Sequence, residues 1–298
     1  MPVTAERRSM KSRVAVASRR TIRIGLIAAR RPAPVRRPVP DFVIVGAQRC
    51  GTTSLFKALR QHPAVLGPVL KSKGVHYFDV AYRQPIDWYL AHFPTEWSRG
   101  LAARRAGSQP VAGEASPYYL FHPAAPARMA DTIPNARLIV MLRDPIRRAH
   151  SHYHHMRFEG HEYAPTFEDA IDLEATRLAG EEERLLADPA YVSPSHQHHS
   201  YLARGDYATQ LRKLLALFPR QQVLVIDSQR FFADSVAGVG DVLRFLGLST
   251  NCVPALAALN AGTYPPLAPS TRSRLEDHFA ASNAALPGLL GWTPSWCK

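Results

Sequence analysis

The chain is poor in the features that mark membrane-spanning, secreted and metal-binding proteins. Nowhere in its 298 residues does a run approach the ~18 apolar residues that a bilayer crossing needs. Its longest early apolar piece, "IGLIAA", lies between Arg23 and Arg30 and is shorter than a secretory h-region. Three cysteines, Cys50, Cys252 and Cys297, form no metal spacing and no even disulfide set. A reducing compartment, the cytoplasm, is therefore expected. There are no internal repeats.

Charge is scarce in most of the chain and concentrated at one end. Residues 1–40 hold 11 Lys and Arg against Glu6 alone, a net +10. Of the totals, 37 bases and 24 acids, that leaves 26 and 23 elsewhere, a net of only +3. The arm, ending in "RRPAPVRRPVP", reads as a basic, disordered and solvated tail over residues 1–39. Weak contact with acidic surfaces is compatible with it. No aromatics interleave its charges, so no specific nucleic-acid partner is expected.

Order is expected from residue 40 to the end, as one domain, and 46% hydrophobic composition suffices for a sizeable core. "FVIVG" (42–46), "VAGEASP" (111–117), "ARLIVMLRDP" (136–145) and "QQVLVID" (221–227) read as buried strands, and 65–79 as a further strand and loop. Helices are expected over 52–62, 85–94, 206–218, 236–247 and 270–286. Another starts at Pro145, capped by Asp144. The stretch 98–110 reads as a surface loop or a frayed turn. Alternation of this kind predicts an α/β fold with a central, mostly parallel sheet flanked by helices, of the P-loop nucleotide-binding type.

The most informative absence is a single lysine. "GAQRCGTTSL" places Gly46 and Gly51 as a phosphate loop does, yet Thr52 stands at the lysine position and Thr53 at the hydroxyl position. Such a strand-to-helix turn still aims backbone amides and a helix N-terminus at an anion. Arg49 can supply the cation. A magnesium triphosphate needs more charge neutralisation and a metal-binding acid. A sulfuryl group needs less. A turn that binds nothing is the bland alternative.

A second motif, "RDPIRRAHS" (143–151), follows about 95 positions later. Together the two resemble the sulfotransferase family. "VHYFD", "EASPYY" and "YLARGDY" extend the likeness to the branch of the heparan sulfate sulfotransferases and their bacterial relatives, over roughly residues 41–290. The resemblance implies 3′-phosphoadenosine 5′-phosphosulfate as sulfuryl donor and no metal. It implies that Arg49, Cys50, Gly51, Thr52, Thr53 and Ser54 surround the 5′-phosphosulfate. Arg143 and Ser151 would hold the 3′-phosphate, and Tyr264 would pack on the adenine. The acceptor would be a hydroxyl or amine of a carbohydrate, glycolipid or small metabolite. A nucleotide kinase, or a nucleic-acid binder acting through the tail, are the competing classes.

The catalytic base does not carry over, because Gly74 stands where the family has glutamate. His76 is the first candidate, reached from Gly74 along one face of an extended segment and oriented by Asp79. Glu114 is the second, and an acceptor needing little base help the third. Lys73 can stabilise leaving-group charge or steer an anionic acceptor. Ala115 replaces a family lysine, which weakens the expectation of acidic-sugar recognition. The histidine clusters at 150–155 and 196–199 complete no recognised zinc signature; the segment 159–199 is expected to form a mobile helical flap over the acceptor site, lined by Tyr191 and the histidines, or else a surface insertion with no part in binding.

Overall fold

A computed structural model describes residues 36–69, 73–254 and 264–297, with Leu26, Ile27, Arg30 and Leu256. Most of the expected tail, and residues 260–263 of the C-terminal loop, lie outside the described residues. Five strands form one all-parallel sheet: β1 (Phe42–Gly46), β2 (Val65–Leu66), β3 (Val111–Ala115), β4 (Arg137–Leu142) and β5 (Val223–Asp227), in the order β2-β3-β1-β4-β5. β1 lies centrally, with Phe42 paired to Gly113 on one side and Arg137 on the other. Every residue of β1 is buried. A strand covered on both faces is apolar throughout, which is why "FVIVG" shows no alternation. The α/β, P-loop-like fold is as expected, although β2 is only two residues long.

Parallel neighbours put all strand C-termini at one edge, and there the chain leaves β1 and β4 into helices. α1 (Thr52–Leu59) follows β1 and buries Leu55, Phe56 and Leu59. Next come α2 (Ile86–Leu90), α3 (Glu96–Ala106) and α4 (Ala125–Thr132). α5 (Pro145–Glu159) follows β4, and Asp144 Oδ1 accepts from the Ile146 and Arg147 amides as its cap. Four short helices, α6 (Phe167–Asp172), α7 (Glu174–Leu178), α8 (Glu181–Ala187) and α9 (Pro194–His198), fill 159–199. α10 (Tyr207–Leu215), α11 (Ser228–Ala233), α12 (Ser235–Phe245) and α13 (Pro269–Leu290) complete the covering layers. Among the described residues no helix is long and apolar enough to cross a membrane.

One element corrects the sequence reading. Residues 98–106 are not a loop: they belong to α3, which is capped by Thr95, whose hydroxyl accepts from the Ser98 amide, and stopped at Gly107. It buries no residue. Caps and helix-favouring alanine and arginine form it without the apolar stripe that reveals packed helices.

Part of the N-terminal arm is also in contact with the domain. Ile27 is buried, and the Arg30 guanidinium donates to the carbonyl oxygens of Ala91 (2.8 Å) and Phe93 (3.1 Å), just beyond α2. A helix end exposes carbonyls with no intrahelical partner, and Arg30 supplies donors near them.

Candidate active site

The turn between β1 and α1 presents an uncapped helix start. Gly51, the N-cap, has φ +92°, and no side chain accepts from the first amides of α1. A Cβ at Gly51 would come within 2.6 Å of the Phe232 ring. Glycine is thus required both by the left-handed backbone and by the close approach. Cys50 turns its thiol to the core against Tyr207, and burial pushes that thiol up to about 11. What Cys50 offers the turn is backbone.

The turn opens into a cavity of about 980 Å³ that brings together every donor-binding residue expected from the sequence: Arg49 to Ser54, Arg143, Ser151 and Tyr264. Arg49 Nε donates to Ser151 Oγ at 3.1 Å, and its Nη2 donates to the Tyr264 hydroxyl at 3.3 Å. The two motifs, 94 residues apart in the chain from Arg49 to Arg143, therefore meet through adjacent strands β1 and β4. Tyr264 stacks on His154 with ring centroids 4.3 Å apart and planes 2° apart.

Lys73 also lines this cavity, and its ammonium donates to the hydroxyls of Thr52 (3.1 Å) and Thr53 (2.8 Å). Burial, and secondarily the charge of Arg49, pull its pKa down to about 8. Two cations thus face the same helix start from separate segments.

A second, smaller cavity of about 330 Å³ adjoins the first, since Gln48, Lys73, Pro117 and His155 line both. His76 lies in this second cavity, where its Nδ1 pairs with Asp79 Oδ2 at 2.7 Å. The Nδ1–Asp79 contact orients the ring. The route by which His76 arrives differs from expectation. Its φ is +58°, so the segment from Gly74 is not extended. Arg49 (φ +70°) is the other non-glycine residue with positive φ among the described residues. Such conformations cost about 1–3 kcal/mol each and gather at functional sites.

Two further readings are corrected. Glu114 is fully buried and lines neither cavity. Its Oε1 accepts from the hydroxyls of Tyr89 (2.8 Å) and Tyr119 (3.1 Å). Its Oε2 accepts from Ser116 Oγ (2.8 Å) and the Val75 amide. With four donors on it, Glu114 organises the loop bearing His76 and is not placed to take a proton from an acceptor. A Cβ on Gly74 would come within 2.5 Å of the Ala115 carbonyl oxygen, so the family's glutamate cannot be accommodated there without a shift. In the 159–199 segment, Tyr191 donates to Glu181 at 2.7 Å and lines neither cavity, while His161 and His198 do line the smaller one.

Gln48, at the junction of the cavities, escaped the sequence reading, and His155, which the sequence shows only as one of a histidine cluster, stands beside it lining both cavities. His155 is one helical step of four beyond Ser151 and so shares its face of α5; that spacing is a usable signal. Gln48 has no such signal. Its position beside Arg49 in the turn is what exposes it.

Comparison with known proteins agrees with this geometry. Residues 39–259 match the family model described as Sulfotransferase domain, and the chain belongs to that family. It is 28% identical over 294 residues to human bifunctional heparan sulfate N-deacetylase/N-sulfotransferase 3, covering 87% of this chain and 31% of that protein. To mouse heparan sulfate glucosamine 3-O-sulfotransferase 6 it is 32% identical over 215 residues, 72% of this chain and 54% of that protein. The crystal structure of a sulfotransferase from Alicyclobacillus acidocaldarius superposes with a TM-score of 0.64 at 32% identity, covering 88% of this chain and all of that one. The chain thus spans about a third to a half of the length of these two curated relatives.

Proposed function

We propose that this protein transfers a sulfuryl group from 3′-phosphoadenosine 5′-phosphosulfate to a hydroxyl or amine of a carbohydrate acceptor. The observation that carries the reading is the convergence of both anion-binding motifs, through the Arg49–Ser151 contact, on one cavity. Arg143 and Ser151 suit the 3′-phosphate. The amides at the start of α1, with Arg49, suit the 5′-phosphosulfate. The carbohydrate acceptor rests on the kinds of protein the chain resembles, two of which are named for heparan sulfate.

In the transfer, the acceptor oxygen or nitrogen forms a bond to sulfur while the bond from sulfur to the bridging phosphate oxygen breaks. The leaving oxygen departs on adenosine 3′,5′-bisphosphate. His76, held through Nδ1 by Asp79, takes the acceptor proton at Nε2. Arg49 and the Lys73 ammonium stabilise charge on the transferring group and on the leaving oxygen. The junction lined by Gln48, Lys73 and His155 is where donor and acceptor would meet.

Calorimetric titration tests the donor assignment. Adenosine 3′,5′-bisphosphate is expected to bind at one site, and ATP with magnesium at least about tenfold more weakly, a difference of ~1.4 kcal/mol. Equal binding of the two, with magnesium-dependent ATP turnover, would favour the kinase class instead. Arg49→Ala is expected to cut turnover by about 100-fold or more, as loss of one such charge-stabilising donor does. An undiminished rate removes Arg49 from the mechanism.

A further inference from the structure

Two histidines on α5 bring their side-chain nitrogens to one point. His150 and His154 lie one turn apart, and their Nε2 atoms approach to 3.0 Å, with the ring planes at 80°. His150 lines the larger cavity, next to Ser151. Aromatic neighbours hold both rings in place. Tyr264 stacks flat on His154, and Phe167 meets His150 with centroids 5.3 Å apart and planes at 65°. The charges that act on the pair are Glu168 beside His150 and Arg157 beside His154. Glu168 Oε1 accepts from the Thr271 hydroxyl at 2.6 Å. Burial lowers the pKa of both rings, that of His150 to about 4, so both are neutral near neutral pH.

Two neutral imidazoles so placed can share a proton, one Nε2 donating and the other accepting. The same pair can share a metal ion through both lone pairs. Two metal–imidazole bonds of ~2.0–2.1 Å span ~2.9 Å where they meet at a right angle, and ~3.3 Å at the tetrahedral angle. The observed 3.0 Å lies near the right-angle value, which is that of neighbouring ligands on a tetragonal Cu(II) or Ni(II) ion. Among the described residues no third His, Cys, Asp or Glu completes a closed group, so water fills the remaining positions. Arg49, Arg143 and Arg147 line the same cavity as His150, so charge does not draw a cation here; the paired nitrogens do. The other close histidine pair, His161 and His198, stacks with planes 10° apart and centroids 4.2 Å apart. Stacking leaves the in-plane lone pairs of those two rings in separate, parallel planes, where they cannot converge on one ion.

We propose that His150 and His154 chelate a divalent transition-metal ion, Cu(II) in preference to Zn(II), on the wall of the larger cavity. The proposal does not depend on the sulfuryl-transfer reading, and no step of that transfer runs through the ion. Imidazole ligands and the usual order of divalent affinities set the preference for copper. Magnesium and calcium, which take oxygen ligands, are excluded. On binding, each Nε2 gives its lone pair to the ion. The ring whose Nε2 carried the shared proton then carries it at Nδ1, so no net proton is released near neutral pH. The pattern His-x-x-x-His shows in the sequence that the two rings share a helix face. Only the packing of Tyr264 and Phe167 shows that they are turned toward each other.

The test titrates the full chain calorimetrically with copper, zinc and magnesium chlorides. The parent protein carries Cys252→Ser, which removes the exposed thiol as a competing ligand. Its tightest site is expected to take copper at least about tenfold more strongly than zinc, and to take no magnesium. His154→Phe in this background keeps a ring to stack on Tyr264 but removes the second nitrogen. It should weaken the tightest copper site by at least about tenfold, because the second bond forms within a complex already held by the first. No copper site in the parent, zinc bound as tightly as copper, or an unchanged copper affinity in folded His154→Phe would each overturn the proposal. Nuclear magnetic resonance of the parent decides the matter where the variant does not fold. Substoichiometric copper should broaden the ring signals of His150 and His154 before those of the other histidines, and broadening that begins elsewhere would overturn the assignment.

Discussion

Replacing Glu114 by glutamine separates an organising role from a catalytic one. The carboxylate accepts four hydrogen bonds, two on each oxygen. The amide of Gln can accept on one side only. Its oxygen must stay with the Val75 amide and Ser116, because a backbone N–H cannot reverse. The NH2 then faces Tyr89 and Tyr119. The Tyr89 hydroxyl can rotate and accept. Tyr119 cannot do so freely, since its oxygen already accepts from the Tyr77 amide at 2.7 Å. One buried hydroxyl proton is left without an acceptor, which costs about 1–3 kcal/mol, and the retained bonds lose charge assistance worth about 1 kcal/mol. A loss of about 3 kcal/mol corresponds to a fall in Tm of about 6–12 °C for a large domain. Thermal unfolding followed by circular dichroism, with initial rates taken well below the transition, is the assay. The expected result is a clear Tm drop with the pH–rate profile retained. An unchanged Tm with a rate reduced by about 100-fold or more would show that Glu114 is the base and that its buried placement has been misread.

Three further outcomes follow from the same geometry. His76→Ala is expected to lower kcat by about 10²–10⁴ with bisphosphate affinity unchanged, whereas Asp79→Asn should lower it less; an undiminished His76→Ala rate would leave the acceptor to react without base help. Lys73, with its pKa near 8, binds fewer protons folded than unfolded above that pH, so stability should rise between about pH 8 and pH 10.5, by at most ~1.4 kcal/mol per unit. Over the same range the loss of its charge should lower kcat/KM, and a Lys73→Met variant should lack both limbs. Arg30→Ala removes two bonds from a charged donor to carbonyls beyond α2 and should cost about 1–3 kcal/mol in thermal unfolding; no change would mean that the arm contributes nothing to the domain.

β1 and β4 were legible because they are buried on both faces and therefore read as unbroken apolar runs. The start of α5 was legible because Asp144 and Pro145 are local signals. α3 was not, since a helix that buries nothing leaves no stripe. The larger cavity was legible because each of its motifs is contiguous, one in the turn after β1 and one along the start of α5. The smaller cavity was not. Gln48, His76, His155 and Arg204 come from four separate segments, and only the tertiary fold sets them around one space. Glu114 stands as the second candidate base in the sequence for the same reason. A carboxylate in "GEASP" looks free until Tyr89, Tyr119 and Val75 are brought to it from elsewhere.

The missing lysine of the glycine turn can now be given a physical account. A phosphate loop carries its cation within the turn, one residue after the second glycine. Here that position is Thr52, and the cation comes instead from two places, Arg49 before Gly51 and Lys73 from the segment after β2. A lysine at 52 would occupy the space where the Lys73 ammonium now meets the hydroxyls of Thr52 and Thr53. The exchange has a consequence. Lys73 is two residues before Val75, the residue that Glu114 holds, and three before His76. On the proposed function, a cation supplied this way would tie the charge at the donor to the segment that carries the proposed base, His76. Disturbing either end of that segment should therefore alter donor binding and proton transfer together, which a lysine built into the turn would keep apart.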